Sequence, residues 1–105
     1  MRKHNRCRGF RIWKWGTFQI ELWWFPKGEF IEPHIHERIS SLIMVVYGQM
    51  EGIIGDRAGV PRPWKCFAVP PGERHAAHAV SNCVFLNFEH WTGEVTSASD
   101  DFTAV

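Results

Sequence analysis

The sequence lacks several things that would have placed it in other classes. No apolar run approaches the ~20 residues that cross a bilayer, and the amino terminus has neither the apolar core nor the small-residue cleavage site of a secretory leader. A cytoplasmic protein with no membrane partner is expected. There are only three cysteines, Cys7, Cys66 and Cys83, and none forms a CxxC pair. An odd, scattered count argues against a disulfide framework. We read them as reduced thiols, with Cys66 and Cys83 acting as small hydrophobes in apolar stretches. Net charge is nearly absent at +1, so no field steers the whole molecule toward nucleic acid or an anionic membrane. There is no helical period of useful length, no internal repeat and no low-complexity segment.

The chain of 105 residues is long enough for one hydrophobic core and too short for two. It carries six Trp and eight Phe, which bury a large area per residue in a domain with an unfavourable surface-to-volume ratio. Arg2, Lys3, Arg6, Arg8, Arg11 and Lys14 crowd the start. They read as a solvated basic arm over residues 1–12, ahead of one domain at 13–95 and a polar tail at 96–105. The arm has no groups that would read bases, so a nucleic-acid partner is not expected.

Short extended segments dominate the rest. Phe18, Ile20, Leu22 and Trp24 alternate with Thr17, Gln19 and Glu21, a period-2 pattern that predicts a strand with its Phe18 face buried. Pro26-Lys27-Gly28 breaks that strand, and Pro33 keeps the following 29–35 stretch extended. Leu42 to Tyr47 is a continuous apolar run bounded by Ser40-Ser41 and Gly48, as in a strand covered on both faces. Further strands are expected at Met50–Ile54, Trp64–Val69, Arg74–Val80 and Cys83–His90. Gly55-Asp56, a loop through Gly59, Pro61 and Pro63, Pro70-Pro71-Gly72 and Ser81-Asn82 separate them. Many short strands joined by Gly and Pro turns predict an all-β sandwich or barrel.

His34 and His36 are one residue apart, so on a strand their imidazoles share a face and can share one metal ion. Two histidines so spaced also decorate many solvated strands, and the surrounding pattern has to decide. That pattern is G-x5-H-x-H-x4-S-x6-G, through Gly28, His34, His36, Ser41 and Gly48, followed by P-x-G-x2-H at Pro70, Gly72 and His75. It resembles the two motifs of the cupin superfamily over Gly28 to about Ala79, with 49–63 filling the variable segment between them. The resemblance implies a double-stranded β-helix (jelly-roll) barrel. It also implies a divalent metal ion, iron, nickel, manganese or zinc, held by His34, His36 and His75. The Pro-x-Gly turn would bring the strand of His75 beside that of the other two.

Two positions depart from the family pattern. Ser41 stands where most cupins have a glutamate ligand, and Ala79 where the second motif ends in asparagine. A site of three neutral imidazoles is one unit more positive than the usual one, and favours an anionic ligand or extra water. Thiol dioxygenases of the cysteine dioxygenase type are cupins that also lack this glutamate and hold iron(II) with three histidines. One expectation is therefore a metal-dependent enzyme, such as an iron dioxygenase, acting on a small anionic or thiol substrate. The alternative is a non-catalytic module that binds a metabolite or sugar, since a motif without its carboxylate also fits lost catalysis. Ser41, Tyr47, Phe18 and Phe88 are expected around the substrate. Glu32 and Glu37 are weak substitutes for the missing carboxylate, and His78 and His90 are read as surface or packing residues. The aromatics exceed what a narrow barrel interior holds, so some should cover an outer face through which two copies form a homodimer.

Overall fold

The structure is a computed structural model describing residues 2–4 (backbone), 6–60, 64–98 and 100–105. Among these residues there are eleven strands and no helix: β1 (Arg2–His4), β2 (Cys7–Trp15), β3 (Phe18–Phe25), β4 (Phe30–Ile35), β5 (Ile39–Tyr47), β6 (Met50–Ile54), β7 (Arg57–Gly59), β8 (Cys66–Val69), β9 (His75–Ala79), β10 (Cys83–Trp91) and β11 (Thr103–Ala104). They form a six-stranded sheet, β1-β2-β3-β10-β5-β8, and a five-stranded sheet, β11-β4-β9-β6-β7, all antiparallel. Two curved sheets whose inner faces close on one interior make a β-sandwich rolled into a barrel.

The expected strands from Met50 to Ile54 and through 75–79 and 83–90 are present, and four additions change the picture. The basic segment expected as a solvated arm is strand from Cys7 onward. Arg8, Phe10 and Arg11 pair with Trp24, Leu22 and Glu21 of β3. The reason is Gly9, whose missing side chain leaves room for the Trp23 indole; a Cβ there would lie 2.5 Å from the ring. The expected loop after Gly55 includes β7, paired with β6; Pro61 and Pro63 lie outside the described residues. The tail expected as polar at 96–105 is built into the fold in part. Ser97 and Ala98 are buried, and β11 pairs with β4 at His34 and Ile35.

The fourth correction concerns which face of the large sheet is inside. Gln19, Glu21, Trp23 and Phe25 point inward and are buried, whereas Phe18 and Trp24 are exposed and Ile20 and Leu22 half-buried. The same parity runs across the sheet, with Cys83, Phe85, Asn87, Glu89 and Trp91 inward on β10 and Phe88 outward. Hydropathy alone pointed the wrong way because the outer face is apolar as well, a situation in which alternation loses its meaning.

The interior is layered. At one end Cys7, Trp23, Phe25, Ile31, Val45, Met50, Cys83 and Phe85 form the main core; at the other, Ile39, Trp91 and Ala98 form a smaller one. Between them lies a buried polar layer of Gln19, Glu21, Ser41, Asn87 and Glu89. Cys7 and Cys83 belong to the core, and burial pushes their thiols up to about 12 and about 11, so both stay protonated and inert. Cys66, expected in the core, is instead exposed on edge strand β8.

Candidate metal centre

The Pro70-Pro71-Gly72 turn does what its composition suggests. Gly72 adopts φ +79°, open to glycine at little cost, and its N–H donates to the carbonyl of His36 at 2.8 Å. The turn is thereby tied to the chain carrying the histidine pair. β9 then runs antiparallel to β4, with His75 directly opposite His34. A register irregularity between Ile31 and His34, where Pro33 cannot donate to the ladder, precedes the pair.

His34, His36 and His75 thus converge. Their ligand nitrogens all lie within 4.8 Å of one another, and the ring centroids of His34 and His75 are 4.0 Å apart. His34 and His36 are buried and His75 half-buried. Among the described residues this is the one group of three metal-capable side chains.

Backbone carbonyls set the tautomer of each ring. Nδ1 of His34 meets the carbonyl of Glu32 at 2.7 Å, Nδ1 of His75 meets that of Glu73 at 2.9 Å, and Nδ1 of His36 meets that of Asp101. A carbonyl only accepts, so each Nδ1 carries the hydrogen and each Nε2 the lone pair. Three like tautomers, oriented from behind by fixed acceptors, are what an imidazole metal site requires. Burial, with the nearby His36 assisting, lowers the pKa of His75 from its ordinary 6.5 despite the opposing bond to Glu73, which keeps the ring neutral.

The carboxy-terminal segment completes the site. Phe102 stacks on His34 with centroids 4.3 Å apart. Asp101, besides its carbonyl bond to His36, accepts from the Arg38 backbone N–H at 2.8 Å. The N–H of Val105 donates to the Pro33 carbonyl at 3.1 Å. Spacing in the sequence gave no sign of this strap, because its partners are 60 or more residues away; the one signal was an isolated Phe102 in a polar tail.

Behind the histidines lies a cavity of about 100 Å³, lined by hydrocarbon and aromatic groups such as Trp23, Phe67, Phe85 and Phe102, the three imidazoles and one amide, Asn87. Of the four residues expected around the substrate, none lines it. Ser41 is inward and buried but lies one layer away, beside Glu89. Phe18 faces out and stacks on His90 at 4.5 Å. Phe88 is on the same outer face, and Tyr47 is exposed at the end of β5. Glu32 and Glu37 are exposed, and His78 lies 3.7 Å from Glu51 at the surface.

A carboxyl pair was missed altogether. Glu89, directly across from Ser41, accepts from Gln19 Nε2 at 2.9 Å and from the Trp91 indole at 2.7 Å. Glu21 accepts from the Ser97 hydroxyl at 3.0 Å and the Ala98 backbone at 3.3 Å. Burial and the neighbouring Glu21 push the Glu89 carboxyl well above its ordinary range. Glu89 on β10 is engaged with its own partners and lies outside the histidine cluster.

No family model matches the sequence, and no curated protein does. Solved structures do match. KdgF from a Halomonas species superposes with a TM-score of 0.78 at 19% identity, over 84% of this chain and 81% of that one. A cupin superfamily protein from Desulfitobacterium hafniense superposes with a TM-score of 0.74 at 17% identity, over 88% and 84%. The chain has the cupin fold. A structure described as that of the DMSP lyases RdDddP and RnDddQII gives a TM-score of 0.81 at 16% identity, over 96% of this chain and 53% of that one. The double-stranded β-helix expected from the motifs is therefore present. No helix among the described residues is long and apolar enough to cross a membrane.

Proposed function

We propose that this cupin is a metal-dependent enzyme whose divalent ion is held by Nε2 of His34, His36 and His75, and whose substrate is a small anion. The observation that carries the reading is the common tautomer of the three rings, each fixed by a backbone carbonyl, with all ligand nitrogens within 4.8 Å. Three neutral imidazoles suit iron, nickel, manganese or zinc. The ion would supply Lewis-acid or oxygen-activating chemistry beside an open position. The chain's own residues would orient the ligand set, exclude water with Phe67, Phe85 and Phe102, and offer one amide to the bound molecule. An iron dioxygenase acting on a small thiol is the sharpest form of this reading. A chain from the structure of DMSP lyases shares the fold, so a lyase is the other enzymatic form.

A specific observation favours a second reading, a non-catalytic binding module: among the described residues no carboxylate and no tyrosine lines the cavity, leaving the imidazoles and Asn87 as its hydrogen-bonding groups beside the Trp23 indole. In either case we expect a homodimer in a reducing, cytoplasmic setting, in keeping with the unpaired cysteines.

Metal analysis after anaerobic purification separates the outcomes. The parent should hold one ion per chain, and His34→Ala and His75→Ala should hold none under the same conditions. Oxygen uptake with a panel of small thiols on the iron-loaded protein then tests the dioxygenase. Silence across that panel, with metal present, moves the weight to the lyase or the binding module. A parent without stoichiometric metal, whose melting temperature ignores added iron, nickel, manganese and zinc, overturns the metal reading itself.

A further inference from the structure

The row of directly opposed residues that carries the histidines continues to the edge of the smaller sheet. His34 pairs with His75, His75 with Ile54, and Ile54 with Arg57 on edge strand β7. Directly opposed residues share a face of the sheet, so the Arg57 side chain leaves its strand on the side of the imidazoles. Two strand spacings, about 10 Å, separate it from His75. Arg57 is exposed and makes no hydrogen bond or ion pair with the described residues.

Arg57 lines a cleft of about 520 Å³ between β7 and β8. Gly52, Ile54 and Phe67 line both this cleft and the cavity beside the imidazoles. Gly52 and Gly59 stand directly opposite each other within it. Neither has a positive φ. A Cβ at Gly52 would meet only the Ala76 carbonyl, at 3.8 Å, and one at Gly59 nothing within 4 Å. The backbone therefore does not demand glycine at either position, and bare positions inside strands occur where a ligand comes close to the chain. Among the described residues, Arg57 is the one charged side chain, imidazoles apart, lining either space.

We propose that the ligand reaches the metal through this cleft and lies in it when bound, with a terminal carboxylate held by Arg57 and its other end at the three imidazoles and their ion. This rests on the metal-centre reading above and names its substrate class: an elongated acid whose metal-binding group and carboxylate are several carbons apart. One guanidinium matches the single charge of a carboxylate in a two-point contact. A phosphate dianion calls for a second cation, and no other basic side chain among the described residues lines the cleft.

The test uses zinc-loaded full-length protein and two probes of one shape that differ by one charge, glutarate and its monoamide glutaramate, titrated calorimetrically. The parent should prefer glutarate, and in Arg57→Gln that preference should fall about fivefold at unchanged zinc content, the worth of an exposed ion pair. Any preference that the ion itself supplies, by chelation or by charge, persists in the variant and cancels from the comparison. Arg74→Gln removes the same charge from an exposed arginine that does not line the cleft, and it should keep the parent's preference. Gly52→Val, which narrows the passage, should lose both probes while keeping its zinc; Gly59→Val carries this arm if the first does not fold. An equal preference in parent and Arg57→Gln, an equal fall in Arg74→Gln, or full binding in the valine variants overturns the proposal and leaves the metal centre standing. So does zinc bound with neither probe taken up. A parent that holds no zinc overturns the metal-centre reading, and this one with it.

Discussion

Single side chains in the polar layer set how the protein should respond to pH. Glu89 keeps its proton at neutral pH because burial and Glu21 raise its pKa above the ordinary 4.5. The native state therefore binds a proton that the unfolded chain has released. The stability this provides is complete below the ordinary carboxyl value and is lost as pH rises above it toward the raised one. Glu89→Gln, neutral at every pH, should flatten that part of the slope across about pH 5 to 8, read from urea unfolding at a series of pH values. Superimposable pH profiles for parent and variant would show that Glu89 is ionised in the fold. Gly48 is as constrained for a different reason. At φ +80°, a Cβ there would lie 2.1 Å from the Asn82 carbonyl. Gly48→Ala should cost about 1–3 kcal/mol or more, visible as a lowered melting temperature. Gly48 closes the first motif, so the same glycine was legible in the sequence, although its physical cause, a backbone close approach from the β9–β10 turn, was not.

At the scale of elements, the strap at 100–105 joins the two ends of the chain's logic. β11 lies beside β4, Asp101 holds His36 and Phe102 covers His34. A chain ending at Asp100 keeps the Ser97 and Ala98 contacts to Glu21 but loses the acceptor behind His36. It should bind metal about 10–100-fold more weakly, as when an outer hydrogen-bond partner of a ligand is removed. Competition with a chelator measures this, and unchanged affinity would mean that His36 needs no such partner. The elements also show what a sequence carries. The motif spacing placed His34, His36 and His75 correctly because a strand period and a Pro-x-Gly turn are local rules. The facing of β3 and β10 is not local. Gln19 and Glu21 read as solvent-side residues until their partners Glu89, Ser97 and Ala98, all distant in sequence, turned them inward. That inversion is why Phe18 and Phe88 were expected in the pocket and Asn87 was not.

The whole molecule presents one large unexplained surface. Across β2, β3, β10 and β5 the outward residues form apolar rows in strand register: Trp13, Ile20, Phe88 and Leu42 in one, Phe10, Leu22, Leu86 and Met44 in the next. Trp13 is 48% exposed and Leu42 41% in the single chain. A second copy laid on this face would bury a continuous aromatic surface, and an obligate apolar interface is the ordinary use of such a patch. The protein should sediment as a dimer, and Trp13→Glu with Leu42→Glu should give monomers or poorly soluble chains. A parent that sediments as a monomer at micromolar concentration would remove the second copy as occupant.

The central claim is the three-imidazole centre, and X-ray absorption at the zinc edge of the loaded protein tests it most directly. The account predicts three imidazole nitrogens at about 2.0–2.1 Å, with the remaining coordination from light atoms. Sulfur in the first shell, or a shell without imidazole scattering, would contradict it.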